Sequence, residues 1–318
     1  MSTDAPRQRQ GVVAGVAAYL VWGALTLYWR HLDSFEAIEL IGWRVICSAV
    51  LMSALLSITH RWRHLLPVLR DRRLFGSVLV CAVLLSVNWT TYVWAVVHDH
   101  VIETALGYFL SPLGTMAIGV VVLHEKLYRV QQFVFVLAVI AVGVLTFSYG
   151  RVPWLALVIA TTWVAYGYLK KHVPLTPVES MAAESFIVLV PAILVVVTFA
   201  GRSNSIPNTA STAQLVLVLC SGMATIVPLT LFAFAAQRVP LTVIGPLNYI
   251  NPTINFCLGW LVFHESLPPS RVIGFALVWV GLAIATIDAA RRSRLRTTVI
   301  EPVPAEKQAH WRPTERTS

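Results

Sequence analysis

Charge is what this chain has least of. Lys, Arg, Asp and Glu make up 12% of its 318 residues, against roughly 25% in an average soluble domain. A water-soluble fold of this length is therefore excluded. The four cysteines, Cys47, Cys81, Cys220 and Cys257, all fall inside apolar runs. They have neither the spacing of a zinc site nor that of a disulfide framework, and read as small buried apolar residues. Nine histidines lie at positions 31, 60, 64, 98, 100, 124, 172, 264 and 310, none inside an apolar run. An intramembrane enzyme thus has no buried base, and neither a catalytic nor a metal site is expected. No Walker-type phosphate loop occurs, so ATP is not a direct energy source, and no cofactor is implied.

Apolar residues are what is abundant. They make up 57% of the chain, and mean hydropathy is +0.72. This composition is that of an integral membrane protein. A helix needs about 20 mostly apolar residues to cross the hydrocarbon layer, and exposed strand edges cannot cross it. Ten runs qualify: 11–29, 36–58, 74–97, 101–123, 130–149, 153–169, 178–200, 213–235, 241–263 and 270–288. The first is too long for a signal-peptide core and lacks a small-residue cleavage site, so it is expected to stay as a helix. After Asp288 the chain turns Arg-rich and then polar, and 289–318 reads as a disordered basic cytoplasmic tail.

Lys and Arg set the orientation. With the N-terminus in the cytoplasm, sixteen fall in inside segments, Arg61, Arg63, Arg70, Arg72 and Arg73 among them; only Arg30, Arg151, Arg202 and Arg271 fall outside. Both termini are then cytoplasmic. The net charge of +9 follows from this bias. It points to anionic lipid headgroups rather than to nucleic acid.

One pattern occurs twice. SPLGTMAIGVVVLHEKL (111–127) and NPTINFCLGWLVFHESL (251–267) both read P-x6-G-x4-H-E-x-L, every matched position 140 residues apart. The first closes span four, on the inside; the second closes span nine, on the outside. The chain therefore reads as two five-helix repeats of opposite orientation, 11–149 and 153–288. Inverted repeats of this kind build secondary transporters, whose site lies between the halves near the midplane and opens to either side as they rock. The HE pairs are not H-E-x-x-H zinc motifs, because Tyr128 and Pro268 stand where the second His belongs. Glu125 and Glu265 read as local caps, or as gates of the cavity.

Buried polar residues are the candidate site. Arg44 lies about eight residues into span two, on the order of 12 Å deep. A charge there costs roughly 2.5–3.5 kcal/mol on insertion scales, so it either meets an anionic substrate group or serves structure. Its partner 140 residues on is Glu184, expected to bind a cationic group or a proton; alternatively the two form an ion pair. In span three, Asn88 and Tyr92 share one helix face with Trp89 beside them, as a cavity for a small organic solute requires. The repeat-mate of Asn88 is Pro228, whose kink frees a backbone carbonyl. Span nine holds Asn248, Asn251 and Asn255 at i, i+3 and i+7 as a single stripe. Tyr108 stands opposite Asn248 in the first repeat. Trp163 and Tyr166 in span six are weaker candidates. Pro112, Pro228, Pro246 and Pro252 are the expected kinks.

The chain also resembles a known family. AYLVWGALTLYW (18–29), IGWR (41–44), NWTTYVWAV (88–96), ETALGYFLSPL (103–113), TIVPLTLFAFAAQRVPLTVIGPLNYINPT (225–253) and the two HExL endings are similar to those of the drug/metabolite transporter superfamily, EamA-domain type, RarD branch. Where this chain has His124 and His264, related proteins often have Arg or Gly. The resemblance covers about residues 11–288. It implies a ten-helix permease of the bacterial inner membrane that moves a small metabolite or drug. The reading that competes with transport is a non-transporting membrane scaffold or sensor, which needs a sizeable soluble module. Spans five and ten, the most uniformly apolar, are the candidate face for a homodimer.

Overall fold

The computed structural model describes residues 4–121, 124, 129–170, 172–236, 238 and 247–299, and the regular structure among them is helical throughout. Its long helices are α1 (Asp4–Arg30), α2 (Ala37–Ile58), α4 (Arg72–Val97), α5 (Val101–Val121), α6 (Arg129–Tyr149), α7 (Trp154–Lys170), α11 (Thr212–Ala236) and α13 (Pro269–Val299). Shorter pieces are α3 (Leu66–Arg70), α8 (Pro177–Ile187), α9 (Leu189–Ala200), α10 (Ile206–Thr209) and α12 (Ile250–Cys257). In hydrocarbon a helix pairs its backbone internally, so apolar runs this long can take no other extended form. Polar residues start the helices. Asp71 accepts from the amides of Arg73 and Leu74 at the head of α4, and Thr176 and Glu179 form a reciprocal capping box on α8.

Among the described residues six helices are long and apolar enough to cross a membrane, and a seventh crossing is made if α8 and α9 count as one. That is fewer than the ten runs of the sequence. Of the remaining runs, α7 has only 17 residues, α5 covers most of 101–123, and α12 occupies the second part of 241–263. The run 178–200 is bent by 48° between α8 and α9. Its cause is Pro191, which has no amide to give the carbonyl of Ile187 four residues back. The final helix is also longer than expected. It continues to Val299, so residues 289–299 are helical rather than disordered; 300–318 lie outside the described residues.

The halves interlock crosswise. α1, the first helix of the first half, packs on α11 and α12 of the second. In return α7, the first helix of the second half, packs on α4 and α5 of the first. The second helices meet, α2 against α8 and α9, and the last helices, α6 and α13, pack along each other. The latter contact covers part of the apolar surface considered as a dimer face.

Polarity is inside out. Val136, Val139, Ile140 and Phe147 on α6, Val190, Leu194 and Val197 on α9, and Ile273 and Val280 on α13 are at least half exposed. Thr26, Glu39, Arg44, Asn88, Glu103, Glu184, Thr225 and Asn255 are buried. An exposed apolar belt this extensive suits lipid rather than water. The protein is a multi-pass integral membrane protein.

Candidate functional site

The seam between the halves holds a polar and aromatic cluster. Its first anchor is Arg44 of α2, 5% exposed. The guanidinium Nε donates to Thr225 Oγ1 of α11 at 2.8 Å. Its carbon stands 3.6 Å from the centre of the Trp89 ring and 5.6 Å from that of Trp29. A desolvated cation over an indole face gains about 2 kcal/mol, which offsets much of the cost of the buried charge. No carboxylate among the described residues lies within 4 Å of it. The ionisable groups that act on it electrostatically are the phenols of Tyr108, Tyr92 and Tyr28, which are neutral near pH 7.

Gly222 makes the first anchor possible. A Cβ there would sit 2.8 Å from the backbone of Cys47, so its absence lets α11 close on α2 and brings Thr225 within reach of Arg44.

A second anchor also crosses the seam. Thr26 of α1 donates to Asn255 Oδ1 of α12 at 2.7 Å and accepts from the Tyr92 hydroxyl at 2.7 Å. Gly23, one turn earlier, meets the Ile254 side chain. Asn88 fastens α4 to α7: its amide donates to the Ile159 carbonyl and to Thr162 Oγ1, each at 2.9 Å, and it accepts from Tyr108 at 3.5 Å. Asn88 thus holds helices together, while Trp89 faces the charge.

From Tyr92 a row of aromatic rings runs through Tyr108 and Trp163 to Tyr166, with centres 6.0–6.2 Å apart. At its far end is Glu184. No ion pair joins Glu184 to Arg44. Its carboxylate binds Lys170 of α7, Ser180 at 2.9 Å and the Tyr166 hydroxyl at 3.3 Å. The cationic partner anticipated for Glu184 is therefore a residue of this chain.

The asparagine stripe is not continuous. Asn248 lies in a turn ahead of α12, off the helix that carries Asn251 and Asn255. The break follows Pro246, which is outside the described residues. Pro252 is buried in the first turn of α12, where its missing amide is least costly. Pro112 and Pro228 stand inside α5 and α11. A π-helical turn at Leu258–Val262 follows α12, a feature frequent at functional sites.

The HE endings have a backbone reason. His124 and His264 have φ of 51° and 54°, the left-handed region that favours glycine. Glu265 then turns back over the first half. Its carboxylate accepts from the amides of Val101 at 2.5 Å and Ile102 at 3.0 Å, capping α5 across the seam as the positive end of the helix dipole favours. Glu265 thus acts as a cap, though on a helix of the other half; Glu125 lies outside the described residues. Beside the cap is a cavity of about 430 Å³ lined by Asp99, Glu103, Arg151, His264, Glu265 and Arg271, among others. Glu103 is taken up by Arg151 at 2.7 Å and by the Leu155 amide at 3.2 Å. Among the described residues no three His, Cys, Asp or Glu side chains group as metal ligands.

Thr26, Trp29, Thr162 and Thr225 are site residues that sequence reasoning missed. A lone threonine in an apolar helix commonly bonds its own preceding turn, so its type and spacing carry no signal.

Comparison with known proteins matches the EamA-like transporter family over residues 9–147 and again over 151–287. Protein RarD of Streptomyces exfoliatus is 40% identical over 93% of this chain and 95% of its own. An uncharacterized transporter of Vibrio cholerae is 32% identical over 92% and 99%. The uncharacterized transporter YojE of Bacillus subtilis is 32% identical over 90% and 96%. A solved crystal structure, 18% identical, superposes with a TM-score of 0.59 over 89% of this chain and 99% of that one, and so has the same fold.

Proposed function

The chain belongs to the EamA-like transporter family, and on that premise we propose that it is a secondary transporter of the bacterial inner membrane. It carries a small organic metabolite or drug by alternating access between two inverted five-helix halves, with ten crossings and both termini in the cytoplasm. The observation that carries this reading is the crosswise packing: each half lays its first helix on the third and fourth helices of the other. Two elements that clasp each other by equivalent surfaces can rock about the seam without either unfolding. The family match falls separately on each half, and the repeated HE endings support the same division.

The solute site we assign is the seam cluster around Arg44, Trp89, Tyr92, Tyr108, Trp163 and Asn255. It has the composition of a small-molecule site, aromatic walls with few polar groups, and both halves contribute to it. Glu184 stands at the other end of the aromatic row, and its pairing with Lys170 makes it the candidate for opening and closing that end.

Reconstituted protein tests the proposal. Proteoliposomes preloaded with solute should show saturable counterflow, and a disulfide placed across the seam should abolish it. Binding without flux in both directions would leave a receptor or scaffold instead.

A further inference from the structure

The charge at the seam has no counter-ion. Arg44 is 95% buried, by its 5% exposure, and among the described residues its only hydrogen bond goes from Nε to the neutral Thr225 hydroxyl. The two Nη groups, the pair that forms the fork matching a carboxylate, donate to no described residue. The guanidinium carbon lies 5.6 Å from the centre of the Trp29 ring, whose indole Nε1 is buried and unpartnered. Indole nitrogen only donates, so an acceptor is what this place lacks. Buried donors are almost always satisfied, by protein, water or ligand, and buried charges are almost always paired. Three buried carboxylates of this chain have such partners, Glu184 with Lys170, Glu103 with Arg151 and Glu179 with His64, and a fourth, Glu39, accepts from the Ile206 amide. Among the described residues Arg44 is the buried cation whose hydrogen-bond partner is neutral.

We propose that the seam cluster selects a monocarboxylate with an aromatic or apolar body, its carboxylate seated against Arg44 and Trp29 Nε1 and its body along Trp89, Tyr92 and Tyr108. This deepens the transporter reading and rests on its choice of site. The charge balance sets the class. One anion neutralises one guanidinium, so the loaded seam carries no net charge in the membrane. A dianion leaves one negative charge uncompensated in low dielectric, and a cation meets like charge. A neutral amide leaves the guanidinium unpaired. The aromatic row supplies area for a ring, since edge-to-face contacts at these spacings are favourable.

The test is a thermal-shift titration of the full-length protein in detergent with four probes that share a body: phenylacetate, phenylacetamide, phenethylamine and phenylmalonate. Phenylacetate is expected to raise the melting temperature in a saturable way. The amide, the amine and the dianion are expected to bind more weakly by at least about tenfold. Arg44→Gln should weaken phenylacetate binding by at least about tenfold, since a charged hydrogen-bond donor is lost. Trp29→Phe keeps an aromatic side chain but removes the N–H together with the five-membered part of the indole, so it should weaken phenylacetate by a smaller factor, about threefold or more. If Arg44→Gln does not fold, the probe series on the wild type and Trp29→Phe decide. Absence of a shift with phenylacetate, an equal shift with the amine or amide, or full affinity in Arg44→Gln or Trp29→Phe overturns the proposal. Flux separates it from the reading beneath: an amine that binds and moves sinks the substrate class and leaves transport standing. A carboxylate that binds at Arg44 and never moves does the reverse.

Discussion

Arg44 and Thr225 belong to different halves of the chain, 181 residues apart, and are joined by a 2.8 Å hydrogen bond in the seam. The threonine is in turn bonded to the Ser221 carbonyl one turn back, at 3.2 Å, so its hydroxyl hydrogen is committed and its oxygen is free to accept. The arginine is thereby fixed in direction without being neutralised. A carboxylate at position 225 would hold it more tightly and would also remove it from use.

Replacing that acceptor gives the first expectation. Thr225→Val keeps the shape and removes the oxygen, leaving a buried charged donor short of a partner. A loss of about 1–3 kcal/mol of stability follows, read as a lower melting temperature. A melting temperature equal to the wild type's would mean that the Trp89 ring alone holds the guanidinium.

Gly222→Ala should act on the same bond through the backbone. Its Cβ would meet the Cys47 carbonyl at 2.8 Å, forcing α11 off α2 at a cost of about 1–3 kcal/mol. Gly143→Ala is the matched control, because nothing lies within 4 Å of its Cβ, and a helical alanine there should be neutral or stabilising by up to about 1 kcal/mol. Equal melting temperatures for the two variants would refute the close approach of the helices.

Glu265 gives a pH dependence with a definite sign. Burial pushes its carboxyl up to about 7, against the two α5 amides, with Asp99 adding to the rise and Arg271 opposing it. Glu103, Arg151, His100, His264 and Tyr149 line the same cavity, while Arg30 is engaged by Asp99. A carboxyl that holds its proton more tightly in the folded chain makes the folded state bind more protons between about 4.5 and 7. Stability contributed by this group therefore falls as pH rises through that window, and the fall levels off above it. Melting curves from pH 5 to 8 should slope downward in the wild type, and Glu265→Gln should flatten that slope. An unchanged slope in the variant would place the titrating group elsewhere.

Pro191→Ala should straighten the second half. It restores an amide for the Ile187 carbonyl, and the 48° angle between α8 and α9 should drop toward the gentle curvature of an unbroken helix. Spin-label distances between positions 180 and 198 would lengthen. If they stay the same, packing against α2 bends the segment rather than proline.

How much was legible in the sequence varies with the kind of interaction. Asn88, Tyr92 and Asn255 could be nominated because a polar side chain in an apolar run is costly wherever it ends up, and each is buried in the seam or beside it. The same logic singled out Arg44 and Glu184. What it could not do was pair them: an ion pair between them was one alternative, yet Lys170 reaches Glu184 from α7 and Arg44 has no carboxylate partner among the described residues. Glu265 likewise read as a local cap, and its helix lies in the other half.

The sequence by itself determined the membrane class and the helical form, and it carries one motif twice at fixed spacing, because each follows from properties read along the chain: apolar length, backbone self-sufficiency and repetition. Only the tertiary structure decided which charges have partners, where the 178–200 run bends, and that Thr26, Trp29 and Thr225 join the seam cluster. Those outcomes depend on distances of a few ångströms between residues far apart in the chain, set by close contacts such as Gly222 on Cys47, and no local pattern encodes them.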